Sequence, residues 1–251
     1  MMDIYKRVYD HTPLPIILVG TTAGTGSEVS AVSVLTVDET GMKRSISGED
    51  CYAKAAFADS RYTHTVPYDT TVSTALDAMA HAIEGYFTPK YNDILSMYGK
   101  KGIPMIWEGL CYLYKHQNEL PDESIREKLY YGSIYAGFIL NTCGTAFPHP
   151  LGYILTENYH IPHGKACAYF MPAFLERAKK YAPEKYDTWF KMLDVSDATF
   201  ISVVQNLTNV EKIRFTPEEA KQHIKRWNNP KNFSVTPGGL SNDDVVNILT
   251  K

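Results

Sequence analysis

The sequence predicts an α+β chain in two unequal parts, a β-rich stretch over residues 1–66 and an all-helical one over 67–251. Two observations carry this. From Pro13 to Val66 the apolar residues stand in short, partly β-branched blocks punctuated by glycine and turn residues, and after Pro67 they switch to a spacing near 3.6 residues. Leu14–Val19, closed by Gly20, reads as a short buried strand. Val29–Val37, turn residues Asp38–Gly41 and a weaker strand from Lys43 read as a hairpin, and Lys54–Asp59 as a further strand. Three or four strands are few for an independent domain, so this part reads as the end of something longer.

The helices follow in order. Val72, Leu76, Met79, Ile83 and Phe87 repeat at helical spacing. A second helix spans Asp93–His116, where Pro104 removes a backbone donor and is expected to kink or divide it. Asp122 caps a third, through Ile125, Leu129, Ile134 and Phe138. Helical patches cover 165–181 and 184–206. Thr216-Pro217-Glu218-Glu219 places a cap, a first-turn proline and two acids at the positive end of a helix to about Trp227. After the turn Pro237-Gly238-Gly239, Ser241-Asn242-Asp243-Asp244 opens a last one.

Composition narrows the class of function. The 251 residues carry 25 basic and 28 acidic side chains, a formal charge of −3, with no basic run, which argues against nucleic acid as a partner. No apolar stretch approaches the roughly 20 residues of a membrane span, and Met1–Arg7 lacks the apolar core of a signal peptide. Cys51, Cys111, Cys143 and Cys167 are scattered without a CxxC pair and read as reduced core or helix-face thiols. A cytoplasmic protein is expected.

Three places could carry chemistry. Asp77 and His81 stand four apart in an otherwise apolar helix, so both point the same way, and Glu84 extends that polar stripe. Buried together they would need a compensating partner such as a divalent metal; on a solvated face they would be an ordinary surface pair. In Phe147–Gly164, three histidines fall within fifteen residues: His149 and His163, each preceded by proline, and His160 between Tyr159 and Ile161. With Asp77 and His81, His149 and His163 would supply one carboxylate and three nitrogens, a set that suits iron(II) or zinc and leaves a position open; the alternative for each histidine is simple packing in a loop, which is the reading for His160. Third, Gly20–Glu28 is a small-residue, hydroxyl-rich loop after a strand, neither a Walker A motif nor GxGxxG, and alone is weak evidence for phosphate binding.

Together, TTAGTGSE at 21–28, the hairpin with Lys43, the DAxxHAxE helix at 77–84, and His149 fourteen residues before the His163-Gly164 loop resemble the iron-containing (group III) alcohol dehydrogenases, over residues 13–180. The resemblance implies that Asp77, His81, His149 and His163 are metal ligands for iron(II) or zinc. It implies that Thr21, Thr22, Thr25 and Ser27, with Lys43, line the site of NAD or NADP. Tyr153 stands where many members have a proton-relay histidine, which makes its hydroxyl the candidate catalytic group. The implied function is hydride transfer between a small alcohol or aldehyde and NAD(P), in a homo-oligomer with a dehydroquinate synthase-like fold. Members also have a GGGS-type loop upstream of TTAGTGSE, and residues 1–12 hold none. The chain is therefore expected to be the C-terminal two thirds of such an enzyme: residues 1–66 the remnant of the dinucleotide-binding domain, 67–251 the metal-binding domain. Alone it is expected to bind dinucleotide weakly. The alternatives are a non-catalytic metal-binding helical remnant and a metal- and NAD-dependent lyase like dehydroquinate synthase.

Overall fold

The computed structural model describes residues 12–39, 41–227 and 230–251; the expectation for Met1–Arg7 lies outside them, as does Thr40 of the hairpin turn. Four strands, β1 (Ile17–Val19), β2 (Val32–Val37), β3 (Met42–Ser47) and β4 (Ala55–Phe57), are followed by helices only. β2 and β3 form the expected antiparallel hairpin, with Val32 opposite Ser47 and Val37 opposite Met42. β1 pairs in parallel with β4, Ile17 opposite Ala55.

One expectation fails here. β1 is not a buried strand: Ile17 is 65% and Val19 49% exposed, and on β4 Phe57 is 58% exposed. A run of apolar residues is buried only when another layer covers the sheet, and among the described residues β1 and β4 make a sheet of two strands.

The helical part is a well-packed body around α1 (Tyr68–Phe87). Around it lie α2 (Asp93–Lys115), α3 (Glu123–Cys143), α4 (Pro148–Tyr159), α5 (His163–Tyr169) and α8 (Asp197–Thr208), all of which touch it. α1 is therefore buried on every side from Thr71 to Phe87 with the exception of the half-buried Thr74. α6 (Met171–Tyr181) and α7 (Pro183–Leu193) extend the core with Phe174 and Trp189. Two expected helical patches each resolve into two helices. Residues 165–181 break at Phe170, and 184–206 breaks where Asp194 takes a left-handed conformation.

Asp122 caps α3 as expected, accepting from the Ile125 N–H at 2.9 Å. Thr216 and Glu219 form a reciprocal capping box at the start of α9 (Pro217–Trp227). Pro104 does not divide α2, which is continuous through it. The extensive contact of α2 with α3 keeps the helix continuous at the cost of one backbone hydrogen bond. After α10 (Pro230–Val235), α11 (Asn242–Thr250) closes the chain behind a Ser241–Asp244 capping box. No helix among the described residues is long and apolar enough to cross a membrane.

A candidate metal centre

α1 runs through the core with Asp77, His81 and Glu84 on successive turns of one side, at 5%, 6% and 0% exposure. The surface-pair reading of Asp77 and His81 is thereby excluded. His149 comes from α4, not from a loop. A residue ahead of a proline favours extended backbone, yet Phe147 is helical (φ −69°, ψ −26°), so Pro148 serves as a first-turn proline. His149 and Tyr153 therefore sit one turn apart on α4. His163 is the first residue of α5, and Gly164 after it permits a close approach to α1: a Cβ there would run into the Ser73 carbonyl oxygen and crowd Asp77.

The structure brings all four of these side chains together. The Nε2 atoms of His81, His149 and His163 lie 3.8, 3.7 and 3.7 Å from the same Asp77 oxygen, Oδ1. Those separations are too long for hydrogen bonds. Asp77 Oδ1 and His149 Nε2 are buried without a hydrogen-bond partner. His81 and His149 stack at 4.8 Å between centroids, and His163 meets His149 edge-on at 5.4 Å. His160 caps the end of α4 in a left-handed conformation, exposed and outside this cluster.

Two residues that the sequence reading left out of the site belong to its surroundings. Glu84 Oε1 is 2.6 Å from His149 Nδ1, and Glu84 Oε2 accepts the Ala146 N–H at 2.7 Å. With Nδ1 as the donor, the Nε2 lone pair of His149 faces inward toward Asp77. Cys167, on α5 one turn after His163, is fully buried and places its Sγ within 4.8 Å of donor atoms of Asp77, His149 and His163. The signals were present in the sequence as Glu84 seven residues after Asp77 and Cys167 four after His163.

Burial governs the protonation of these groups. It pulls His149 and His163 down to about 4, Asp77 opposing in both cases and the charge of Lys43 adding to the depression of His163. His81 is also lowered, first by burial. The imidazoles are therefore neutral near pH 7, with lone pairs available as ligands. Burial pushes Glu84 well above the usual carboxylate range and raises the Tyr153 phenol, which thus stays protonated at neutral pH. Tyr153 stacks on His163 at 5.3 Å and 14°.

The hydroxyl-rich loop packs beside this cluster, with the Gly24 backbone next to His81. Gly26 is left-handed (φ 59°) and lies against Gly137 of α3, where a Cβ would strike backbone. Its glycine thus serves packing, while Thr21, Thr25 and Ser27 face solvent and Thr22 is half-buried. Thr25 Oγ1 donates to Ser27 Oγ at 3.1 Å. Lys43 on β3 is tied to α4 through its backbone N–H to Glu157 Oε1 at 3.3 Å and reaches Thr36 Oγ1 with Nζ at 3.4 Å.

A carboxylate and neutral imidazoles gathered in a helical body, beside a loop presenting hydroxyls after a parallel strand, define a candidate metal centre in a chain of α+β architecture. The chain belongs to the iron-containing alcohol dehydrogenase family. The profile of the Fe-containing alcohol dehydrogenase family, C-terminal, matches residues 71–214, and that of Iron-containing alcohol dehydrogenase matches residues 2–60. The 4-hydroxybutyrate dehydrogenase of Clostridium kluyveri is 35% identical over 166 residues, 66% of this chain and 44% of that protein. Among solved structures, the iron-containing alcohol dehydrogenase of Thermotoga maritima superposes with a TM-score of 0.85 at 32% identity, covering 98% of this chain and 66% of that one. Sulfoacetaldehyde reductase from Bifidobacterium kashiwanohense, solved in complex with NAD+, gives 0.83 at 27% identity, covering 94% and 64%. The chain thus spans under half of the first relative's length and about two thirds of the two solved relatives.

Proposed function

We propose that this chain carries the metal-binding part of an NAD(P)-dependent oxidoreductase acting on a small alcohol or aldehyde. The carrying observation is the approach of three imidazole Nε2 atoms to one buried, unpartnered Asp77 oxygen at 3.7–3.8 Å. That donor chemistry fits a divalent iron or zinc ion, which would satisfy the orphaned atoms. Asp77, His81, His149 and His163 would hold it. Bound there, such an ion supplies a Lewis acid that acidifies an alcohol hydroxyl and polarises a carbonyl.

The other roles fall to the chain's own groups. Glu84 orients His149, and the surrounding core keeps the imidazoles dry and neutral. His163, whose side chain is 35% exposed, marks the open side from which a substrate reaches the cluster. Tyr153 faces that side through its stack on His163, and its protonated hydroxyl can pass a proton along a hydrogen-bonded chain but cannot act as a base. Thr21, Thr22, Thr25 and Ser27, with Lys43, would line the nicotinamide cofactor, NAD or NADP. The exposure of Thr21, Thr25 and Ser27 beside the donor cluster supports this, and the NAD+ complex of the sulfoacetaldehyde reductase is in line with it.

Titration with zinc and with anaerobic iron(II) tests the reading. One ion per chain is expected, with occupancy lost in His81→Ala. In a form extended to the length of its relatives, the same substitution should abolish NADH formation from short primary alcohols, by more than the about 10²–10³-fold typical of a single lost stabilising donor. Turnover at the wild-type level in His81→Ala under both metals would refute the mechanism.

A further inference from the structure

We propose that Cys167 is an additional, sulfur donor to the ion in this centre, so that the site selects zinc over iron(II). The inference rests on the metal-site reading above and adds to it a ligand type that the carboxylate and imidazoles do not contain. Three observations carry it. Cys167 lies one helical turn after His163 on α5, on the same side, and is fully buried. Its Sγ stands 3.7 Å from His163 Nε2. Zinc–sulfur and zinc–nitrogen bonds of about 2.3 and 2.0–2.1 Å, at the roughly 90–120° angles of a five-coordinate site, separate their donors by roughly 3.1–3.8 Å. The thiol also lies within 4.8 Å of Asp77 and His149, whose buried Oδ1 and Nε2 have no hydrogen-bond partner.

A buried free cysteine ordinarily acts as a small apolar side chain. Cys167 does pack in the apolar core, but its Sγ also faces the buried Asp77 Oδ1 and His149 Nε2, which have no hydrogen-bond partner. Coordination forms a sulfur–metal bond and breaks the S–H bond, the proton leaving to solvent; no oxidant or reductant takes part. Thiolate ligands favour zinc, whereas carboxylate and imidazole accept iron(II) as readily. The thiol thus distinguishes two ions between which one Asp and three His do not.

The experiment loads the metal-free chain, reduced and anaerobic, with cobalt(II) as a spectroscopic probe. It then measures zinc and iron(II) affinities by competition. The wild type is expected to show a sulfur-to-cobalt charge-transfer band in the near ultraviolet. Cys167→Ser and Cys167→Ala should still take up one cobalt but lack the band, and their zinc-to-iron(II) affinity ratio should fall about tenfold or more. Cobalt bound by the wild type without the band overturns the role of Cys167 while the metal site itself stands, and that reading needs no variant to fold. A band that survives in both variants overturns it equally. No uptake of cobalt, zinc or iron by the wild type removes the metal-site reading and this proposal together.

Discussion

In the helical body Leu76, Ile83, Leu110, Phe174, Trp189 and Phe200 are shut away from solvent, whereas on the paired strands β1 and β4 Ile17, Val19 and Phe57 remain about half or more exposed. Helices with apolar stripes cover one another on several sides, as α1 shows with five neighbours. A two-stranded sheet has two faces and needs layers from elsewhere to cover them. The contrast maps onto chemistry. Asp77, His81 and His149 need the dry, rigid environment of the helices to keep unpaired lone pairs aimed at one point. In the loop from Thr21 to Ser27, whose backbone Gly26 seats against α3, Thr21, Thr25 and Ser27 stay exposed.

Stability measurements should show the contrast most strongly. Trp189→Ala or Phe200→Ala is expected to cost about 3–5 kcal/mol by denaturant unfolding, and Ile17→Ala or Phe57→Ala no more than about 0.5 kcal/mol. Equal costs would mean that β1 and β4 are covered in solution and would break the comparison.

Next in size is the effect of Glu84→Gln. It leaves the core volume unchanged but weakens the hold on His149, and metal affinity by titration calorimetry should fall about 10–100-fold. Removing an exposed polar group of the loop, as in Thr25→Ala, should leave metal affinity unchanged.

The pH dependence sharpens the same point. In the unfolded chain a histidine titrates near about 6.5, while burial holds His149 and His163 at about 4 in the folded protein. As pH falls from 6.5 toward 4 the unfolded state takes up protons that the folded state refuses, so the metal-free chain should lose stability through that window and be unaffected above it. Melting temperatures of metal-free protein at pH 7, 6 and 5 check this, and the slope should shrink in His149→Gln.

The smallest effect is expected for Tyr153→Phe, about tenfold or less in hydride transfer, because water can carry the same proton. A larger loss would assign the phenol a role beyond relay.

Local signals in the chain were read correctly where a few adjacent residues settle the matter. Asp38–Gly41 between β-branched runs specified the hairpin, Asp122 the start of α3, and Thr216-Pro217-Glu218-Glu219 the start of α9. Readings failed where a distant partner decides. Leu14–Val19 has the composition of a buried strand but no covering layer among the described residues. Pro104 does not divide its helix, which packing on α3 keeps whole.

The candidate site divides in the same way. That Asp77 and His81 share one side of a helix, with Glu84 on the next turn, follows from the helical period alone. That His149 and His163 reach the same Asp77 oxygen from two other helices does not, because no local rule relates residues 72 and 86 positions apart. The packing of α4 and α5 on α1, which Gly164 lets come close, brings them there, and it also carries Cys167 from a scattered thiol to the edge of a donor cluster. Residue type and spacing determined which groups could act; only the burial of α1 among its neighbours decided which of them lie dry, unpaired and within reach of one another.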